Sequence, residues 1–220
     1  MCILAVCVAS ELMFISRQHG TGAGSRPPMS GFYITMMLSE WALAYGVLQG
    51  TKRNGIGIRE LIGGSWKSPR AIAMDILIAM GMLLSWLAMV AIASTLTNSH
   101  NASVAGSSVN AILPVGIVES ILWVGVSITA GFSEEFAFRG YFQRQFQAMT
   151  GSVFPAICLQ AIVFGLLHLY EGVLTSLFIM VFGILFGLVA KWRRSLRPGM
   201  LAHAWADIIF GIVVPMIARA

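Results

Sequence analysis

Residues 173–190 read VLTSLFIMVFGILFGLVA, without one charged side chain. A helix that crosses a bilayer needs about 20 predominantly apolar residues, and this stretch meets that need almost alone. Working outward, comparable segments lie at 153–170 and 199–217. Others lie at 111–133 (with a helical pattern that continues to about 146), at 71–95, at 31–48 and, shorter, at 1–15. The last starts at the initiator Met and lacks a positive n-region, so it reads as a short first helix rather than a secretory signal. Composition agrees. The chain is 57% hydrophobic and 10% charged, with a mean hydropathy of +0.81, whereas an ordinary soluble domain is about 45–50% apolar and about 25% charged. The expectation is an all-α, polytopic transmembrane helix bundle of about seven spans. Residues 1–110 supply N-terminal transmembrane helices and loops, and 111–220 supply the motif-bearing helices of the same single domain.

The polar residues between these segments set further limits. Cys2, Cys7 and Cys158 form neither a disulfide framework nor a zinc-ribbon spacing. The 14 Lys and Arg exceed the 9 Asp and Glu, yet they are spread along the chain and build no nucleic-acid patch. They sort by loop instead. Loops 51–70, 134–152 and 191–198, with their flanking residues, carry 11 of them, and the alternate side carries 3. Cytoplasmic loops are the ones enriched in Lys and Arg. The expected protein is therefore a multi-pass protein of the cell membrane with these three loops and the N-terminus in the cytoplasm. Its expected partner is the lipid bilayer, with no nucleic acid.

Acids and histidines inside spans are costly and point to pairing or function. Three clusters stand out. In Ser133-Glu134-Glu135-Phe136-Ala137-Phe138-Arg139-Gly140, Glu135 and Arg139 are i,i+4 neighbours and can pair. Glu134, rotated by about 100°, is left as the freer proton acceptor. An interfacial ion pair explains the same spacing equally well. In Phe164-Gly-Leu-Leu-His168 the ring and the imidazole share a face, and a histidine bonded to a backbone carbonyl is the plainer reading. In His203-Ala-Trp-Ala-Asp207 both side chains share a face. They could hold a metal, stabilise an oxyanion, or bond one another with Asp207 fixing the imidazole tautomer. Glutamate plus two histidines suffices for a catalytic zinc with an open water position. HExxH, GxSxG and P-loop patterns are absent, and Gly55-Ile-Gly57 is no dinucleotide fingerprint. Gly183 and Gly187 form a GxxxG pair that allows close helix packing. Glu40, Asp75 and Glu119 have no motif partner. Each could cap a cavity, bind a loop arginine or lie among headgroups.

The ordered set EExxxR, FxxxH and HxxxD between Glu134 and Asp207 resembles the CPBP family. That family comprises the type II CAAX prenyl proteases and the bacteriocin-processing or immunity (Abi) membrane proteins. The resemblance covers about a third of the chain. It implies that Glu134 activates the attacking water with help from His168. His203 and Asp207 would stabilise the oxyanion or join a metal site, and Glu135 and Arg139 would be a supporting pair. It also implies either a divalent metal, zinc being the first option, held among Glu134, His168, His203 and Asp207, or a glutamate-activated water without a first-shell metal. Asp207 stands where many relatives carry Asn, and a carboxylate suits a metal better than an oxyanion. The function the resemblance implies is an intramembrane metalloendopeptidase acting near the membrane surface on a peptide or lipidated-peptide substrate of CAAX type or similar, from a polar pocket open to the cytoplasm. A non-proteolytic immunity or scaffold protein and an ion-coupled transporter are the alternatives.

One geometric condition follows. His203 lies about 7.5 Å beyond Pro198 along its helix and His168 about 21 Å beyond Phe154 along its own. The two can meet only if the seventh helix starts deeper or the fifth starts lower. An amphipathic helical extension through 141–150 (YFQRQFQAMT) would allow the second.

Overall fold

The computed structural model describes residues 28–53, 55–96 and 112–219. The expected first span at 1–15, Arg17, Arg26 and the loop 98–110 lie outside the described residues. Among the described residues the regular structure is entirely helical. In order come α1 (Ser30–Lys52), the short α2 (Ile58–Ile62), α3 (Pro69–Leu96) and α4 (Gly116–Glu135). Next are a π-helical segment (Phe136–Phe142) and α5 (Gln143–Thr150), then α6 (Val153–Leu167), a 3-10 turn (Leu169–Glu171) and α7 (Val173–Arg193). The chain ends in α8 (Arg197–Ile208), a second π-helical segment (Ile209–Val213) and α9 (Val214–Arg219). In hydrocarbon no water is at hand for backbone groups, so apolar runs close their hydrogen bonds within helices.

Among the described residues, four helical rods are long and apolar enough to cross a membrane: Pro69–Ile92, Gly116–Thr150, Val173–Arg193 and Arg197–Ile217. The helix α1 has the length but is more polar, and α6 is apolar but short at 15 residues. Residues 134–152, read above as a cytoplasmic loop, instead continue α4 as a 35-residue rod to Thr150. The turn is confined to Gly151, left-handed at φ 67°, and Ser152. Arg139 is buried in that rod and is therefore not an orientation charge.

The other basic segments meet at one end of the bundle. Leu196 N–H donates to Ile62 O at 3.0 Å, which ties the 51–70 segment to the 191–198 turn. Gly63 makes this approach possible. Its φ is +98°, and a Cβ there would fall 2.2 Å from Arg194 O. Arg193 Nε donates to Asp75 Oδ1 at 3.0 Å and Trp66 Nε1 to Asp75 Oδ2 at 2.8 Å, while Arg197 covers the Trp66 ring at 4.8 Å. Asp75 thus binds a loop arginine, one of the three roles open to it. Glu119 takes a role outside the three. It accepts from Met29 N–H at 2.9 Å and Val115 N–H at 2.8 Å, and so ties together the starts of α1 and α4 at the opposite end.

Small residues set which helices touch. A Cβ on Gly131 would lie 2.8 Å from Ala204 N, so α4 and α8 cross almost backbone to backbone. A Cβ on Gly183 would lie 3.1 Å from the Ala161 Cβ, and one on Gly187 would lie 2.9 Å from Ile157. The GxxxG pair therefore seats α7 on α6, behind the motif-bearing faces. Gly165 does the same from the other side, and the Ser176 hydroxyl donates to its carbonyl. Tyr33 packs edge-on to Trp123 at 5.7 Å and its hydroxyl donates to Ile112 O at 2.8 Å, which docks α1 along α4.

Candidate active site

The crossing of α4 and α8 at Gly131 brings Glu134 and Glu135 of one helix against His203 of the other. Glu135 is 1% exposed and its Oε1 accepts from Arg139 Nη1 at 2.9 Å. The pair is fully enclosed, not interfacial. The guanidinium also lies 4.4 Å from the Phe164 ring centroid and 5.1 Å from that of Phe186, so aromatic faces replace water around the cation.

The same Glu135 Oε1 is 3.2 Å from His203 Nδ1. A carboxylate can only accept, so Nδ1 carries a hydrogen and Nε2 is the nitrogen left for chemistry. Glu135, rather than Asp207, is the carboxylate that orients this imidazole. His203 Nε2 faces two further acids at equal distance, Glu134 Oε2 at 3.7 Å and Asp207 Oδ2 at 3.7 Å. Side-chain exposure rises outward through the group, from 2% at Glu135 to 14% at His203, 15% at Glu134 and 35% at Asp207. Glu134 Oε2 has no protein hydrogen-bond partner among the described residues.

His168 caps the C-terminus of α6. Its Nδ1 lies 2.8 Å from Phe164 O, the backbone-carbonyl bond that its sequence context allowed, so Nε2 is again the open nitrogen. The Phe164 ring stands between the two histidines, 4.6 Å from the His168 centroid and 6.1 Å from that of His203. The depth condition is met by both routes. The rod extends to Thr150 before α6 begins, and α8 starts deep, with Pro198 and Gly199 buried.

Glu40, set aside in the sequence, belongs to this group. Ser133 Oγ lies 2.5 Å from Glu40 Oε2 and 2.7 Å from Thr129 O, which holds the Glu40 carboxyl against the residue next to Glu134. No local pattern marks Glu40, because its partners lie on α4, 93 residues away in the case of Ser133.

Each acid-bearing segment runs straight into a π-helical stretch. Phe136–Phe142 follows Glu134 and Glu135, and Ile209–Val213 follows Asp207. The second has a visible cause. A Cβ on Gly211 would fall 1.9 Å from Trp123 Nε1, and that indole donates to Asp207 O at 2.9 Å. The tryptophan takes up a carbonyl beside the break in the regular ladder, as side chains do where π segments occur at functional sites.

A cavity of about 730 Å³ is lined by Glu134, Glu135, Arg139, His168, His203 and Asp207. Its other walls are largely aromatic and aliphatic, including Trp86, Phe178, Phe182 and Phe210. It lies toward the end of the bundle opposite the basic loops, not toward them as expected above. The four expected ligands line this one cavity, but among the described residues no group of three or more His, Cys, Asp and Glu side chains is arranged to hold a metal ion. Both histidines keep Nε2 open, with Nδ1 on a carboxylate in one and on a carbonyl in the other, an orientation that metal-ligating histidines also have, but the donors are not gathered into such a group. No chemical step below is routed through a metal.

Residues 116–209 match the family model described as Type II CAAX prenyl endopeptidase Rce1-like. The matched segment holds the three motif clusters in full, from Glu134 to Asp207. No curated protein and no solved structure matches the chain.

Proposed function

From the match of residues 116–209 to the Rce1-like type II CAAX prenyl endopeptidase model, and from the acids gathered on His203, we propose an intramembrane endopeptidase whose nucleophile is a water activated by Glu134. The observation that carries this reading is the placement of Glu134. It lies in a largely apolar cavity, 3.7 Å from His203 Nε2, with an oxygen that no described protein group hydrogen-bonds.

The residues divide the work as follows. The Glu134 carboxylate takes a proton from water as the water oxygen attacks the peptide carbonyl carbon. His203, protonated on Nε2, points a donor into the gap between Glu134 and Asp207, where the carbonyl oxygen becomes an oxyanion. Collapse breaks the C–N bond, and the proton held by Glu134 passes to the leaving amine. His168 assists through Nε2 as a second acceptor for the water. Arg139 and Glu135 hold His203 in place and do not touch substrate. Prenylated CAAX-type tails remain within the substrate class.

The test is cleavage of a quenched fluorescent peptide set by detergent-solubilised protein, with wild type and Glu134→Ala, each with and without a chelator. Removing a general base costs about 10²–10⁴ in rate, so Glu134→Ala should lose cleavage while keeping its thermal midpoint. Full activity in Glu134→Ala would remove Glu134 from the mechanism. Chelator-sensitive activity of the wild type would return a metal to the site. An immunity or scaffold role predicts no cleavage by either protein.

A further inference from the structure

We infer that Gly199 is a positioning residue of the site, the place where the lack of a side chain lets one Glu135 oxygen bridge Arg139 and His203. The inference rests on the protease reading above and adds a residue to the group that orients His203.

Three observations carry it. The first is that the backbone does not ask for glycine at this position. Gly199 is the third residue of α8 and is not one of the glycines with a positive φ, and alanine is the better helix former. Space supplies the reason instead. A Cβ on Gly199 would fall 3.0 Å from Glu135 Oε2, 3.5 Å from Glu135 Cδ and 3.1 Å from Phe186 Cδ1. Gly131 and Gly183 differ, since a Cβ on either would press first on an alanine of a neighbouring helix. Gly199 faces the side chains of the site.

The second is that the carboxylate has no room to yield. Glu135 is 1% and Phe186 4% exposed. Glu135 Oε1 accepts from Arg139 Nη1 at 2.9 Å and faces His203 Nδ1 at 3.2 Å. The two carboxylate oxygens share one rigid plane, so a displaced Oε2 carries Oε1 away from at least one of these donors. Phe186 closes the other side, with its ring 5.1 Å from the Arg139 guanidinium and 6.1 Å from the His203 ring. A Cβ at 199 cannot back away from the carboxylate without pressing on the ring that flanks both cations.

The third is electrostatic. Gly199 lies in the first turn of the 12-residue α8, and the N-terminal end of a helix favours an anion. The glycine lets Glu135 Oε2 approach that end. Alanine would keep the helix end and take only the space.

Cleavage kinetics and the imidazole resonances of the detergent-solubilised full chain test this in Gly199→Ala, Glu135→Asp, their double variant and Gly81→Ala. Glu135→Asp draws the carboxylate back by one methylene. Gly81→Ala is the control, since a Cβ on that glycine of α3 meets nothing within 4 Å. A misplacement of about 1 Å costs a catalytic group about 10²-fold, so Gly199→Ala should lose about 10- to 100-fold in kcat. KM should stay close to wild type, because Gly199 is not among the described residues that line the cavity. The His203 Nδ1 proton resonance, assigned by its loss in His203→Gln, should shift in Gly199→Ala and stay in place in Gly81→Ala. In the double variant the loss in kcat should be smaller than the product of the two single losses, as for groups in contact, and the Nδ1 proton should return toward its wild-type position. Wild-type kcat in Gly199→Ala, an unmoved Nδ1 proton, or single losses that simply multiply would each overturn the inference. If Gly199→Ala does not fold, the double variant should fold. A double variant that stays unfolded, or rescue by Phe186→Leu instead, overturns the inference by making Gly199 a packing residue only. No cleavage by wild type defeats the protease reading, and the Nδ1 proton still decides whether Gly199 seats Glu135.

Discussion

Among the described residues two acids are almost completely shielded, Glu135 and Asp75, each 1% exposed and each held by an arginine. The pairs look alike but serve different ends. Arg139 is as deeply enclosed as its acid, at 1% side-chain exposure, whereas Arg193 keeps 27%. The other contacts of the two acids differ more. Glu135 turns to His203 Nδ1, so its ion pair sets the orientation of a site imidazole. Asp75 turns to Trp66 Nε1, so its ion pair fastens a surface segment to a helix. One pair serves chemistry through geometry. The other closes the basic end.

The largest effects should come from the enclosed pair. Removing one partner of a buried ion pair leaves an uncompensated charge and costs about 3–5 kcal/mol. Arg139→Ala and Glu135→Gln should both lower the thermal midpoint in detergent and both abolish cleavage. A double replacement, Glu135→Leu with Arg139→Leu, sharpens the contrast. Apolar groups of similar volume often restore the stability of a buried pair, so this variant should melt closer to wild type than either single variant. It should remain inactive, because nothing then fixes the His203 tautomer. Activity in the double variant would show that the pair is structural only.

Arg193→Ala tests the other half of the comparison. Asp75 would keep the Trp66 donor, and water can reach the position that Arg193 vacates. The loss should be about 1–3 kcal/mol, as for a buried acceptor that loses one partner, reduced by the screening that an exposed cation already feels. The cleavage rate at a temperature well below the melt should be unchanged. A loss of cleavage at intact stability would mean that the basic end is coupled to the site, and the division drawn above would fail.

The same two pairs show what could be read in the sequence. Glu135 and Arg139 are four residues apart on a helix, and that spacing alone pairs them. Asp75 and Arg193 are 118 residues apart, and neither neighbourhood says which arginine reaches which acid. Glu40 escaped for the same reason. The helices were legible because hydropathy is a property of a window, and 71–95 and 173–190 needed only a few residues more to reach the observed Pro69–Leu96 and Val173–Arg193. The π segments were not legible. FAFRGYF carries no mark of its geometry, and Ile209–Val213 depends on a tryptophan that approaches from α4. Depth was half legible. The sequence showed that the two histidines could not meet from a common starting depth, and the extended rod and the sunken start of α8 resolve this. The direction in which the cavity opens was out of reach, since it follows from which helix ends splay apart and which are sealed by Leu61 and Leu196.

The smallest effect isolates the Asp75 pair from its own partner. Trp66→Phe keeps an aromatic face under the Arg197 guanidinium, which lies 4.8 Å from the present ring, and removes only the indole N–H that donates to Asp75 Oδ2. Arg193 still donates to Asp75 through Nε at 3.0 Å, so the carboxylate keeps its charge partner. A single hydrogen bond contributes about 0.5–1.5 kcal/mol, and bonds to charged groups somewhat more. The variant should therefore lose about 1 kcal/mol of stability, with cleavage unchanged. Combining Trp66→Phe with Arg193→Ala removes both donors from a carboxylate that is 1% exposed, and the cost should exceed the sum of the single changes. Residues that share one buried partner are coupled in this way. A purely additive double variant would mean that Asp75 finds a new donor once the segment is released. Asp75 would then be a solvated acid at a loosened helix end, and the likeness to Glu135 that opens this comparison would hold only while both donors are in place.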